Sequence, residues 1–209
     1  MNMGVGNEPR NTKELILQKA AILFAQKGYS GVSMRMIAEA VGIQQASIYH
    51  HYKTKGAILE AIIDDIRSVY LEFFKRMDEK MALATCFEDV LDNFFSELLE
   101  VYGIYIYYGI SLLSAEQFRD KGARKAFIND VMGTGIDYSK RIFDASIERG
   151  WVKGFDTLAF AETFQSAVVV GTYMRTHEDM QHKTLIAPKE MFLRLRALML
   201  SSVEIIKDK

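Results

Sequence analysis

The sequence predicts an all-α protein, and three observations carry the prediction. Pro9 and Pro188 are the only prolines, so nothing interrupts a helical backbone over the long interval between them. Apolar residues recur at three- and four-residue spacing, and few runs alternate strictly. The composition is that of a soluble globular chain: 209 residues, 49% hydrophobic and 25% charged. A chain of this length buries a core as one large domain or two small ones.

Residues 1–9 read as a frayed tail. Asn11 and Glu14 have capping-box spacing for a first helix that buries Ile16, Ala20, Leu23 and Phe24, and Gly28 suits the position just past its end. Ser33 caps a second helix, Met34–Ala40, with Ile37 and Ala38 inward, and Gly42 supplies the turn after it. A third helix starts near Gln44 or Gln45 and stacks Ile48 and Tyr52 at i, i+4 toward the core. A long fourth helix, about Ala57–Lys80, carries Ile58, Leu59, Ile62, Ile66, Val69, Phe73 and Met77. Only Lys53–Gly56 separates it from the third, so the expected boundary between residues 10–56 and 57–209 is a helix start and not a flexible linker. Further helices are expected at about 86–101, 104–118, 121–149, 156–178 and 188–207, with a break at Gly150, Trp151 and Gly154.

Several function classes find no support. Cys86 is the single cysteine, which precludes an internal disulfide and favours a cytoplasmic setting. No leader precedes the first helix, and no apolar run approaches the roughly 18–20 residues of a membrane span. The most hydrophobic stretch, Gly103–Leu113, is too short and rich in tyrosine. His177 and His182 are wrongly spaced for a metal, and Asp89 with Asp92 reads as a solvated acidic face, so neither a metal nor a cofactor is expected. No phosphate loop, nucleophile elbow or Cys–His pair appears, and an enzyme is not expected. The net charge of −1 conceals a basic head, with seven Lys/Arg against four Asp/Glu in residues 1–60, on an acidic remainder.

The chemistry concentrates in Ser33–Lys55, SMRMIAEAVGIQQASIYHHYKTK, two short helices broken at Val41-Gly42-Ile43. Gln44, Gln45, Ser47, Tyr49, His50 and His51 crowd one and a half turns, followed by Lys53 and Lys55. A helix-turn-helix lays its second helix in the major groove of double-stranded DNA while the first crosses the backbone. Gln45 has the geometry to bond adenine at N6 and N7, and Ser47 and His51 reach either base type. Tyr49, Lys53 and Lys55 suit phosphates, Ser33 offers an amide and hydroxyl at a helix start, and Arg35 reaches a guanine edge or a phosphate. Taken singly, each residue has a plainer role as a cap, a half-buried aromatic or a solvated charge. Their joint spacing favours DNA.

The run Ile16–Leu59 resembles the DNA-binding domain of TetR-family transcriptional regulators. The resemblance rests on A-x-x-L-F-x-x-x-G-Y at Ala20–Tyr29, Ser33, Ile37-Ala38, A-V-G-I at Ala40–Ile43, Ile48-Tyr49, His51-Tyr52 and the Lys53/Lys55 pair. Two departures keep the size class: Ala46 replaces the usual Gly or Pro, and Tyr52 the usual Phe. The resemblance implies a helix-turn-helix at about 33–52, base contacts from Arg35, Gln45, Ser47 and His51, and backbone contacts from Ser33, Tyr49, Lys53 and Lys55. It also implies a helical effector-binding and dimerisation body, hence a homodimeric regulator, most often a repressor, acting on a palindromic operator.

In that body, Ala159, Thr163, Ala167 and Gly171 form a small-residue stripe, and Phe192, Leu195, Met199, Ser202 and Ile206 a bundle seam. The residues alone favour a dimer interface and the monomer's own core equally; the resemblance favours the dimer. Phe94, Phe95, Tyr102, Tyr105, Tyr107 and Tyr108, with Met77, Met81, Phe127 and Met132, suit a pocket for a small hydrophobic or aromatic effector. Such a stripe is more often plain core. Glu97, Glu100 or Arg119 would orient a charged effector, although a solvated face is the commoner role. The rival reading is a helical small-molecule carrier whose helix-turn-helix no longer binds DNA.

Overall fold

Local capping chemistry sets the N-terminal helices. The computed structural model describes residues 11–101, 104–181 and 188–206, with side chains except at 100, 101, 104, 105, 174–181, 188 and 189. Helix α1 (Thr12–Lys27) starts where Asn11 Oδ1 accepts the Glu14 amide at 3.0 Å. Helix α2 (Met34–Val41) starts where Ser33 Oγ accepts the Met36 amide, and it closes on Gly42 at φ +78°. Helix α3 (Gln45–His51) comes immediately after, and its last turn is closed by the Tyr52 amide on the Ile48 carbonyl.

Helix α4 (Lys55–Leu83) begins at Thr54, whose hydroxyl accepts the Ala57 amide. Its 29 residues make a rod about 44 Å long. The buried stripe from Ile58 through Ile62, Ile66, Phe73 and Met77 to Met81 runs its whole length. Around it lie α5 (Phe87–Val101), α6 (Ile104–Glu116), α7 (Lys121–Lys125), α8 (Thr134–Glu148), α9 (Thr157–Gln181) and α10 (Pro188–Ser201). Helix α4 packs on α1, α5 and α6, α6 packs on α1 and α9, and α10 packs on α5 and α9. No helix among the described residues is long and apolar enough to cross a membrane.

Two expected helices differ from the sequence reading. The 121–149 helix contains a π-helical segment, Ala126–Gly133, between α7 and α8. Its wide turn is met by one distant and one adjoining side chain: buried Gln165 of α9 donates to the Val131 carbonyl at 2.9 Å, and Thr134 Oγ1 donates to the Asn129 carbonyl. Arg67 of α4 pairs with Asp130 on the same segment. Gly135 makes room for this arrangement, since a Cβ there would lie 2.5 Å from the Gln165 side chain. The 188–207 helix stops at Ser201, because Ser201 and Ser202 both turn their hydroxyls onto the Leu198 carbonyl. The chain then forms an antiparallel ribbon, β1 (Val152–Lys153) with β2 (Glu204–Ile205), tied by Lys153–Glu204 and by the Ile206 amide on the Trp151 carbonyl.

The polar positions of α4 clamp its neighbours. Glu97 of α5, 2% exposed, receives Arg76 at 2.8 Å on one oxygen and Lys80 at 2.7 Å on the other. The expectation of a solvated Glu97 is thus corrected: the residue lies inside, and its charge is met twice. Asp78 accepts the Tyr138 hydroxyl at 3.0 Å and Arg141 at 2.8 Å from α8, while the Tyr138 ring stacks on Phe74. Burial pushes the Glu97 carboxyl up, but the hydrogen bonds and charges of Lys80 and Arg76 override it and hold the group below its ordinary value.

A depressed carboxyl pKa stabilises the fold above the unfolded value of about 4.3 and ceases to do so as pH falls through the folded value. Glu97→Gln should therefore lower the unfolding free energy at pH 7 by about 1–2 kcal/mol. Urea titrations at descending pH should show wild type and variant converging as the solution becomes acidic; parallel curves would contradict this.

Candidate nucleic-acid interface

The recognition surface arises from how α3 is held. Ile48 and Tyr52 are buried, in the core cluster that also holds Ile16, Ala20, Ala21, Phe24, Ile37 and Ala38. That anchoring leaves Gln44, Gln45, Tyr49, His50 and His51 exposed and Ser47 half-buried, so the side chains expected to face a groove share the outer surface of one short helix. Gln44 occupies the N-cap position of α3 without making a side-chain cap bond. Ser33 caps α2 while exposed, and its hydroxyl hydrogen remains available to an outside acceptor. Arg35, in the first turn of α2, is exposed and bonded through Nε to Glu39 at 2.9 Å. Lys53 is exposed. The Tyr52 hydroxyl is buried with no hydrogen-bond partner among the described residues; burial and then the Asp65 charge push it up to about 12.

Lys55, expected as a phosphate clamp, has partners within the protein. Its ammonium donates to the Tyr29 carbonyl at 2.6 Å and the Val32 carbonyl at 2.8 Å, and it lies 4.2 Å from the Tyr29 ring centroid. Two of the three N–H donors of a lysine are thereby engaged inside the protein. The Tyr29 amide donates to Glu116, a buried carboxylate at the end of α6. The sequence reading missed this junction, because Tyr29, Lys55 and Glu116 belong to three distant segments. It also missed Lys13, exposed in the first turn of α1 and 5.8 Å from the Tyr52 ring centroid at the end of α3. A lysine close to the helix-turn-helix in space but not in sequence leaves no motif.

The effector candidates divide. Phe94 and Phe95 meet Phe164 at 5.0 and 5.8 Å between ring centroids, Phe73 joins Phe94, and Met77 and Met81 are buried on the inward face of α4. Tyr108 instead faces α1, where Gln26 approaches its hydroxyl. Tyr107 and Phe127 are buried and Met132 half-buried. Tyr102 and the side chains of Tyr105, Glu100, His177 and His182 lie outside the described residues. Arg119 is exposed in the turn after α6. Asp89 accepts the amide and hydroxyl of Thr85, whereas Asp92 pairs with Arg196, so these two carboxylates serve separate structural bonds.

The residues expected at a dimer interface divide between the chain's own core and its surface. Phe192, Leu195 and Met199 are 4%, 8% and 4% exposed, and the Phe192 ring packs 5.5 Å from Phe95 in the chain's own core. Ser202 and Ile206 lie beyond the end of α10. Gly171 faces α10 of the same chain, where a Cβ would lie 2.3 Å from Met191 Cε, while Ala159 and Thr163 are exposed and Ala167 half-buried. The outer faces of these helices carry a different set: Leu158, Val170 and Tyr173 on α9, and Leu193 and Leu198 on α10.

A helix-turn-helix head continuous with an all-α body defines the class. A family model described as "Bacterial regulatory proteins, tetR family" matches residues 16–62. YttP, a probable HTH-type transcriptional regulator of Bacillus subtilis (strain 168), is 27% identical over 141 residues, 67% of this chain and 65% of its own length. The HTH-type transcriptional repressor KstR2 of Mycolicibacterium smegmatis is 36% identical over 59 residues, 28% of this chain and 29% of its own. The ketosteroid transcriptional regulator KstR2 of Mycobacterium tuberculosis has the same fold, with TM-score 0.71, 15% identity and coverage of 95% of this chain and 98% of that one. Residues 16–62 therefore carry the N-terminal domain described by the tetR family model.

The geometry separates the two lysines after α3. Lys55→Ala should lower the unfolding free energy by about 2 kcal/mol through loss of two charged hydrogen bonds, whereas Lys53→Ala should stay within about 0.5 kcal/mol of wild type. Thermal melts of both variants test this, and equal melting temperatures would remove the structural role of Lys55.

Proposed function

We propose that the protein is a DNA-binding transcriptional regulator, a repressor whose homodimer occupies a palindromic operator and is released by a small apolar effector. The observation that carries the reading is the outer face of α3, where Gln45, Tyr49 and His51 stand clear of the protein while Ile48 and Tyr52 fix the helix beneath them. Arg35, Gln45, Ser47 and His51 read bases, and Ser33, Tyr49 and Lys53 hold phosphates. Residues 10–56 form the reading head and 57–209 the body.

The outer faces of α9 and α10 support the dimer, with Leu158, Val170, Tyr173, Leu193 and Leu198 exposed together on two packed helices. A two-fold pair of heads requires half-sites about 34–36 Å apart, one turn of DNA. The aromatic interior around Phe94, Phe95 and Phe164 supports an apolar effector. A relative of the same fold is named for a ketosteroid, which is consistent with such a ligand. Effector binding releases the operator by favouring the body conformation whose head spacing no longer fits.

Mobility-shift titrations against duplexes selected from a random pool test the reading. Gln45→Ala should weaken the selected duplex by about 1–3 kcal/mol at one base pair, whereas Lys53→Ala should weaken every duplex and lower the salt slope. A protein that enriches no sequence and shows no salt-dependent binding would instead be a helical carrier. For the dimer, Leu193→Glu with Leu198→Glu should yield a monomer in sedimentation velocity that keeps its helical circular dichroism and loses selected-duplex affinity. A double variant that remains dimeric would place the interface elsewhere.

A further inference from the structure

We propose that Glu39 is a positioning residue for base readout, holding the Arg35 guanidinium in place before DNA arrives; this rests on the DNA-binding reading above. Helix α2 turns Met34, Ile37 and Ala38 inward. Arg35 and Glu39, one turn apart, therefore share its outer face, with side chains 74% and 62% exposed. Glu39 is the only acidic residue between Ser33 and Lys53. A carboxylate on a surface that meets a polyanion opposes every phosphate contact within a Debye length, about 8–10 Å. Its presence there calls for a compensating role, and the bond from Arg35 Nε to Glu39 Oε1 at 2.9 Å supplies one.

That bond engages the inner nitrogen of the guanidinium and leaves the two terminal nitrogens, on a side chain 74% exposed, without a partner among the described residues. An arginine uses such an edge to take guanine O6 and N7 together. An exposed pair of this kind adds little to folding stability. On DNA the same contact loses its water and strengthens, and a side chain already oriented gives up less freedom on binding. The pair is also electrically neutral as a unit, so Arg35 adds discrimination at one base pair without adding general attraction to phosphate.

The test uses the full chain and duplexes that the wild type selects from a random pool, each then changed one base pair at a time. Glu39→Ala and Glu39→Gln remove the same charge, but only the glutamine keeps an oxygen acceptor for Arg35. Glu39→Ala should lose about tenfold of its preference at the base pair whose preference Arg35→Ala abolishes, while binding random duplex at least as tightly as wild type. Glu39→Gln should keep that preference within about threefold of wild type. The Arg35→Ala/Glu39→Ala double variant should discriminate no worse than Arg35→Ala alone, as expected of two residues acting as one unit. Equal behaviour of the two Glu39 variants on every duplex, or a Glu39→Ala loss at a different base pair, would overturn the inference. Wild-type protein that selects no sequence would instead overturn the DNA-binding reading beneath it.

Discussion

The Lys55 ammonium, seated on two backbone carbonyls and against the Tyr29 ring, is the contact on which the placement of the head depends. It joins the first residue of α4 to the loop between α1 and α2. Glu116 takes the amide of the same Tyr29 from the end of α6, and Phe24 packs its ring 5.1 Å from that of Tyr29. Three elements therefore converge on one residue of a short loop. Both α4 and α6 thus bear directly on the loop that leads into α2.

Below this junction, α4 acts as the spine. Its apolar stripe lies in the core, and its charged positions hold three neighbours: Arg67 the π-helical segment, Arg76 and Lys80 helix α5, Asp78 helix α8. A buried charge is tolerated only when paired, and Glu97 shows how fully the rule is met here. The body is thus held by a helix whose polar contacts are as position-specific as its apolar ones. The exposed face of α3 at one end and the aromatic interior at the other are attached to the same rod.

The head was legible in the sequence because its determinants are local. Asn11, Ser33 and Gly42 act within a few residues of where they stand, and the inward stacking of Ile48 and Tyr52 comes from helical spacing alone. The body was legible as helices but not as surfaces. Phe192 and Leu193 are adjacent and equally apolar, yet one packs on Phe95 and the other faces out, a choice made by the neighbouring helix. Lys55 read as a phosphate ligand for a similar reason: nothing near it in the chain announces the carbonyls of Tyr29 and Val32. The return of the chain after α10 to pair with β1 depends on a partner strand some fifty residues earlier.

The π-helical segment bears on how the long helices mesh. Each π turn carries one residue more than an α turn, so the helix beyond it is rotated by about 100° relative to an unbroken α-helix. Tyr138 and Arg141 lie just beyond Gly133, and both meet Asp78 of α4. The angular phase that brings them there is set upstream, in a wide turn supported by an amide from α9 and a guanidinium from α4. The gearing between α4 and α8 is therefore stored in neither helix alone: it belongs to a three-helix agreement, in which Gln165 acts as the pin that keeps the teeth one residue out of step.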